Sequence, residues 1–118
     1  MISILEFDGI IDKIEQSNIT NIDIVFMKIE KNQTRMKLEL VNKINPFKEN
    51  DPVKIIFNTE PLSKDNPKLV MNGYLYSITK NEAINKIIIT VGGLQLLIET
   101  PENYPEFKTK RDIIINFF

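Results

Sequence analysis

Apolar and polar residues alternate in short runs along most of this chain, and clusters of Asn, Asp, Pro and Lys separate the runs. A period of two marks half-buried strands, and many such runs at short spacing predict an all-β sandwich or barrel. The first run, Ile4 to Glu15, places Leu5, Phe7, Gly9 and Ile11 on one face and Ile4, Ile10 and Ile14 on the other. Asp8-Gly9 inside it fits either a turn or a bulge in one long strand. A second strand, Ile22 to Glu30, is expected to begin with Ile22, Ile24 and Phe26 as its inward row. The third, Met36 to Asn42, points Met36, Leu38 and Leu40 inward and Lys37 and Glu39 outward. Val53, Ile55 and Phe57 supply a fourth inward row.

The fifth run covers residues 68–78, with Leu69, Met71, Gly73 and Leu75 on one face. Val70, Asn72, Tyr74, Tyr76 and Ile78 take the other. Two further strands flank Gly92-Gly93, and a Pro-bracketed connection, "TPENYPEF", with room for one helical turn, leads to a last strand, "DIIINFF". That strand is apolar on both faces and is expected to have neighbours on both sides. Eight antiparallel strands can close into a small barrel filled by side chains, which removes exposed edges. Residues 1–118 read as a single β-barrel domain.

The stretch "IIITVGGLQLLIE" departs from ordinary strand sequence. Glycine inside a strand is destabilising by roughly 0.5–1 kcal/mol relative to alanine. The chain has only four glycines, and two of them stand here. A two-residue hairpin turn with φ > 0 at both positions is the default, and a bend in a continuous strand is the competitor.

Composition narrows the chemistry. The chain has 118 residues, no Cys and no His, so thiol nucleophiles, disulfides and imidazole bases or metal ligands are absent. Its 21 Ile favour strands. Net charge is −1, with 13 Lys and only two Arg scattered along the chain, which argues against autonomous nucleic-acid binding. No apolar run is long enough for a transmembrane helix, and the N-terminus lacks the pattern of a signal peptide. A cytoplasmic protein without membrane attachment is expected.

Three kinds of site are compatible with these residues. Glu6 and Asp8 share a strand face, with Asp12 following, which would suit a carboxylate pair or a weak divalent-metal site. A solvated strand face explains them better. Tyr74 and Tyr76, with Lys68, Lys80 and Lys86 nearby in sequence, would suit base stacking in a free-standing single-strand-binding barrel. Half-buried barrel tyrosines are the plainer explanation. The third possibility is protein contact, because small residues at Asn72, Gly73 and Gly92-Gly93 interrupt strands rich in Ile and Tyr.

The strand "VMNGYLYSI", then "ITVGGLQLLIE" and the closing "IIINFF", resemble the family of the small G subunit of archaeal DNA-directed RNA polymerase. Its eukaryotic counterpart is the eighth subunit common to the nuclear RNA polymerases. The family's Val-Met-x-Gly-x-x-Tyr strand is matched by Val70, Met71, Gly73 and Tyr76. Its Gly-Gly-Leu strand is matched by Gly92, Gly93, Leu94 and Leu96 to Ile98, and its Phe-Asp-x-Ile start by Phe7, Asp8 and Ile10. The resemblance implies an eight-stranded antiparallel barrel related to the OB fold. It also implies a non-catalytic accessory subunit, without cofactor or metal, that docks on the largest polymerase subunit and supports assembly. Such a chain is one monomer within a hetero-oligomer. The motif positions nominate Met71, Asn72, Gly73, Tyr74, Tyr76, Gly92, Gly93, Leu94 and Gln95 as partner-binding residues. This chain departs from the eukaryotic proteins in two places. It lacks their long insertion between the fourth and fifth strands, and it carries Asn72 where they often have Tyr.

Overall fold

Alternation turns into strand pairing over nearly the whole chain. The computed structural model describes residues 3–60 and 66–118. Among them are β1 (Ser3–Gln16), β2 (Ile22–Ile29), β3 (Arg35–Val41), β4 (Pro52–Asn58), β5 (Leu69–Lys80), β6 (Asn85–Val91), β7 (Leu94–Thr100) and β8 (Arg111–Phe117). A single 3₁₀ turn, Asn42–Ile44, follows β3. The strands close into an antiparallel barrel in the order β1-β2-β3-β7-β6-β5-β8-β4. This is the all-β, eight-stranded architecture expected from the sequence. As anticipated, β8 has a neighbour on each side, β4 and β5.

Two long strands hold the barrel together by changing partners along their length. β1 pairs with β4 over Ser3–Ile10 and with β2 over Gly9–Gln16. It runs straight through Asp8-Gly9, so no turn forms there. A Cβ added at Gly9 would press on the Lys28 carbonyl oxygen of the neighbouring strand. β5 likewise pairs with β8 over Leu69–Leu75 and with β6 over Tyr74–Lys80.

Each long strand carries one bulge, and each bulge reverses which face later residues take. Between Ile11 and Lys13 the partner strand advances by one residue, from Met27 to Phe26, which leaves Asp12 as the extra residue. Ile14 therefore turns toward the core, against the expectation that it joins Ile10 outside. In β5 the register shifts between Leu75 and Ser77, with Tyr76 as the extra residue. Ile78, expected to share a face with Tyr74, instead packs against the core.

The inward rows of β1, β3 and β4 are those that alternation predicts, and Phe7, Ile11, Met36, Leu38, Leu40, Val53, Ile55 and Phe57 are buried. β2 is the exception. Its buried row is Val25, Met27 and Ile29, while Ile22, Ile24 and Phe26 take the outer face. The outer Phe26 ring is roofed by Lys13 Nζ at 4.7 Å and Lys37 Nζ at 5.8 Å from its centre. At an exposed site such contacts contribute about 0.5–1 kcal/mol.

The connection from β7 to β8 closes one end of the barrel. It forms a single backbone turn, with Phe107 N–H donating to the Tyr104 carbonyl at 3.1 Å, and does not extend into helix. Its Tyr104 stacks edge-on to Phe7 at 5.4 Å, and Phe107 to Phe57 at 5.1 Å. Hydrogen bonds fix this plug and the polar groups beside it. Asn32 Nδ2 donates to the Tyr104 hydroxyl at 3.0 Å, and the buried Thr34 and Thr100 hydroxyls bond to each other at 2.7 Å. Farther along β8, Phe117 packs edge-on against Phe47 at 5.4 Å.

Candidate protein-docking face

β5 carries the most exposed aromatic surface on the barrel wall. Its outer row alternates with the buried Met71 and Leu75, as a strand that covers a core on one side must. Val70 is 50% exposed, Tyr74 40% and Tyr76 63%, and Asn72 between them is also exposed. The bulge explains Tyr76: an extra residue has no cross-strand partner, so its ring projects beyond the sheet surface. On the β8 side, Val70 faces Asn116, Asn72 faces Ile114 and Tyr74 faces Asp112. On the β6 side, Tyr74 faces Thr90, whose hydroxyl donates to the Tyr74 carbonyl at 3.4 Å. Asn72, Tyr74, Thr90, Gly92, Asp112 and Ile114 line one shallow groove.

The nominated residues separate by face. Asn72, Tyr74 and Gly92 meet in the groove, where Gly73 adds backbone to the lining, and Tyr76 projects from the same strand. Met71 and Gly73 point into the barrel and are buried. A Cβ at Gly73 would lie 2.6 Å from Ile89 Cγ2 and 3.2 Å from the Thr90 carbonyl oxygen. Its missing side chain is thus accounted for by close packing of β6 on β5.

Gly92 and Gly93 link β6 to β7 as a two-residue hairpin turn, with Val91 opposite Leu94. Their φ values, +55° and +88°, are the left-handed pair that this turn requires. Both are exposed, and nothing lies within 4 Å of an added Cβ. Leu94 is half-buried. Gln95 is exposed, and its backbone N–H donates to the Glu39 carboxylate at 2.9 Å, which ties the start of β7 to β3. Asp112, like Thr90 and Ile114, lines the groove without being nominated by motif position. It reaches this face only through the β5–β8 register, which pairs distant parts of the chain.

The acidic candidates disperse. Asp8 lies 4.0 Å from Lys54 Nζ, and Asp12, displaced by its bulge, lies 3.3 Å from Lys28 Nζ. Among the described residues no three His, Cys, Asp or Glu side chains are grouped so as to hold a metal ion. Of the lysines near the tyrosines in sequence, Lys86 lies 3.9 Å from Glu99. No helix among the described residues is long and apolar enough to cross a membrane.

A closed, side-chain-filled β-barrel with an exposed aromatic strand defines a small structural module. This chain belongs to the family of the G subunit of DNA-directed RNA polymerase, whose model matches residues 4–113. Among curated proteins, none matches. Among solved structures, the cytoplasmic molybdate-binding protein ModG, with molybdate bound, is similar over 97% of this chain and 93% of that chain. The identity is 10% and the TM-score 0.38, too low for that likeness to bear on function.

Proposed function

We propose that this chain is a non-catalytic accessory subunit of a multisubunit DNA-dependent RNA polymerase, and that it docks on the largest subunit to support assembly or stability of the core. Membership in the polymerase G-subunit family over residues 4–113 carries the reading. The geometry supports it. The barrel interior is filled by apolar side chains, which leaves protein contact on the outer wall as the natural mode of action. The chain acts as one domain, as a monomer inside the hetero-oligomer, in the cytoplasm where the polymerase works, and needs no cofactor of its own.

Co-purification is the test. Tagged protein should recover the polymerase core from cell extract in stoichiometric yield and retain it through a mild wash. Recovery of the tagged chain alone would overturn the reading. Autonomous single-strand binding through Tyr74 and Tyr76 is the competing possibility. It predicts affinity that falls steeply with salt, and a flat titration with single-stranded DNA and RNA at low salt removes it.

A further inference from the structure

The outer wall of the barrel divides by charge. On the strands other than β5 and β8, including β4 and β6 that border them, the surface carries ion pairs. Lys13 pairs with Glu15 at 3.0 Å, Lys28 with Asp12 at 3.3 Å, Lys86 with Glu99 at 3.9 Å and Lys54 with Asp8 at 4.0 Å. Even the outer aromatic of that side, Phe26, lies beneath two lysines. Around the wall, β5 and β8 look different. From residue 69 to residue 77, β5 carries no charged side chain at all. On the same side of β8, Asp112 is exposed and Ile114 half-buried, while Asn116 is buried and donates to the Ile56 carbonyl at 3.2 Å. Among the described residues Asp112 is thus the one charged side chain on the outer face of these two strands. Asp112 is exposed, stands opposite Tyr74, and takes part in none of the ion pairs among the described residues.

We propose that the β5–β8 face docks a protein segment that is uncharged where it meets Val70, Asn72, Tyr74 and Tyr76 and brings one Arg or Lys against Asp112. The inference rests on the subunit reading and deepens it by naming the face and the chemistry of its partner. Protein interfaces are depleted of charge at their core and enriched in Tyr, which supplies a large rigid surface at little entropic cost. A single unpaired carboxylate beside such a core selects a cation and fixes register. A guanidinium placed there also lies next to the Tyr74 ring, a favourable cation–π position. The same carboxylate disfavours a nucleic-acid occupant, because it faces where phosphates would run. The opposite wall differs in carrying paired charges beside its aromatic residue, Lys13 with Glu15 and Lys28 with Asp12.

The test measures binding of this chain to polymerase isolated without it. Three variants are compared with wild type, each checked by thermal melting for an intact fold. Tyr76→Ala truncates the projecting aromatic, Asp112→Lys reverses the lone charge, and Phe26→Ala truncates the aromatic on β2, four strands round the barrel. Tyr76→Ala and Asp112→Lys should each weaken binding by about 10-fold or more, as central interface residues do. Phe26→Ala should leave it unchanged. Wild-type affinity should fall by less than about 3-fold between roughly 0.1 and 0.5 M salt, because most of the contact is uncharged. If wild type binds but Tyr76→Ala and Asp112→Lys bind equally well, the docking face is wrong and the subunit reading stands. If Tyr76→Ala weakens binding while Asp112→Lys does not, the cationic partner group is wrong. If wild type fails to bind the polymerase at all, the subunit reading falls and the docking face falls with it.

Discussion

Gly73 and the Gly92-Gly93 pair belong to neighbouring parts of the sheet, yet they lack side chains for opposite reasons. At Gly73 the backbone is an ordinary inward strand position, and space is the constraint: Ile89 Cγ2 would lie 2.6 Å from an added Cβ. At the hairpin tip space is plentiful, and the constraint is the backbone itself, with φ at +55° and +88°. The first glycine serves the inside of the barrel. The second pair serves chain reversal and leaves the tip open to solvent. A motif that contains both therefore mixes a packing requirement with a turn requirement, and neither by itself identifies a contact surface.

The contrast can be broken by substitution. Gly73→Val should be the most damaging change, because Val adds bulk where Ile89 and the Thr90 carbonyl already sit. Overpacking of this kind costs about 3 kcal/mol. For a domain of this size that lowers the melting temperature by roughly 10 °C. Gly93→Val meets no neighbour but forces a β-branched residue to positive φ, a strain of about 1–2 kcal/mol. Its loss should appear in thermal melting, and equal melting of Gly93→Val and wild type would refute the dihedral account. If polymerase pull-down falls more than stability does, the tip also touches a partner.

A double-mutant cycle sharpens the packing half of the comparison. Ile89→Ala makes room opposite Gly73, so in its presence Gly73→Val should cost about 1 kcal/mol less than it does alone. Additive effects in denaturant unfolding would mean that Ile89 is not what excludes a side chain at position 73. The smallest effect is expected from Gly92→Asn. Asn-Gly is a preferred pair for this turn, so stability should stay within about 0.5 kcal/mol of wild type or rise slightly. A marked drop would show that the turn demands more than left-handed backbone.

Much of the fold is legible in the sequence, and the misreadings have identifiable causes. The glycine pair signals its turn locally, because few other dipeptides tolerate two left-handed residues. Met36, Leu38 and Leu40 declare their face because Lys37 and Glu39 alternate with them. In β2 both rows are apolar at Ile22, Ile24, Val25, Phe26 and Met27, so alternation cannot choose between them. Cross-strand neighbours decide, with Lys13 and Lys37 holding Phe26 outside. Bulges at Asp12 and Tyr76 leave no trace in composition, yet each reverses the faces of residues beyond it, as at Ile14 and Ile78. The plug is hidden in a connecting segment, where Tyr104 and Phe107 are the available hint of burial. On the candidate face, alternation already separates Asn72 and Tyr74 from Met71 and Gly73. Asp112 cannot join them without the β5–β8 pairing.

The position of β8 has a consequence for how the molecule is made. β8 lies between β4 and β5, so the barrel is completed by the strand synthesised after all the others. Until it emerges, β4 and β5 each present an unpaired edge, the surface most prone to pairing with the wrong chain. Closure in one late step makes the nascent chain vulnerable until β8 is complete and resistant soon afterwards. Early capture of the open form, by a chaperone or by the partner subunit itself, would shield those edges during the interval.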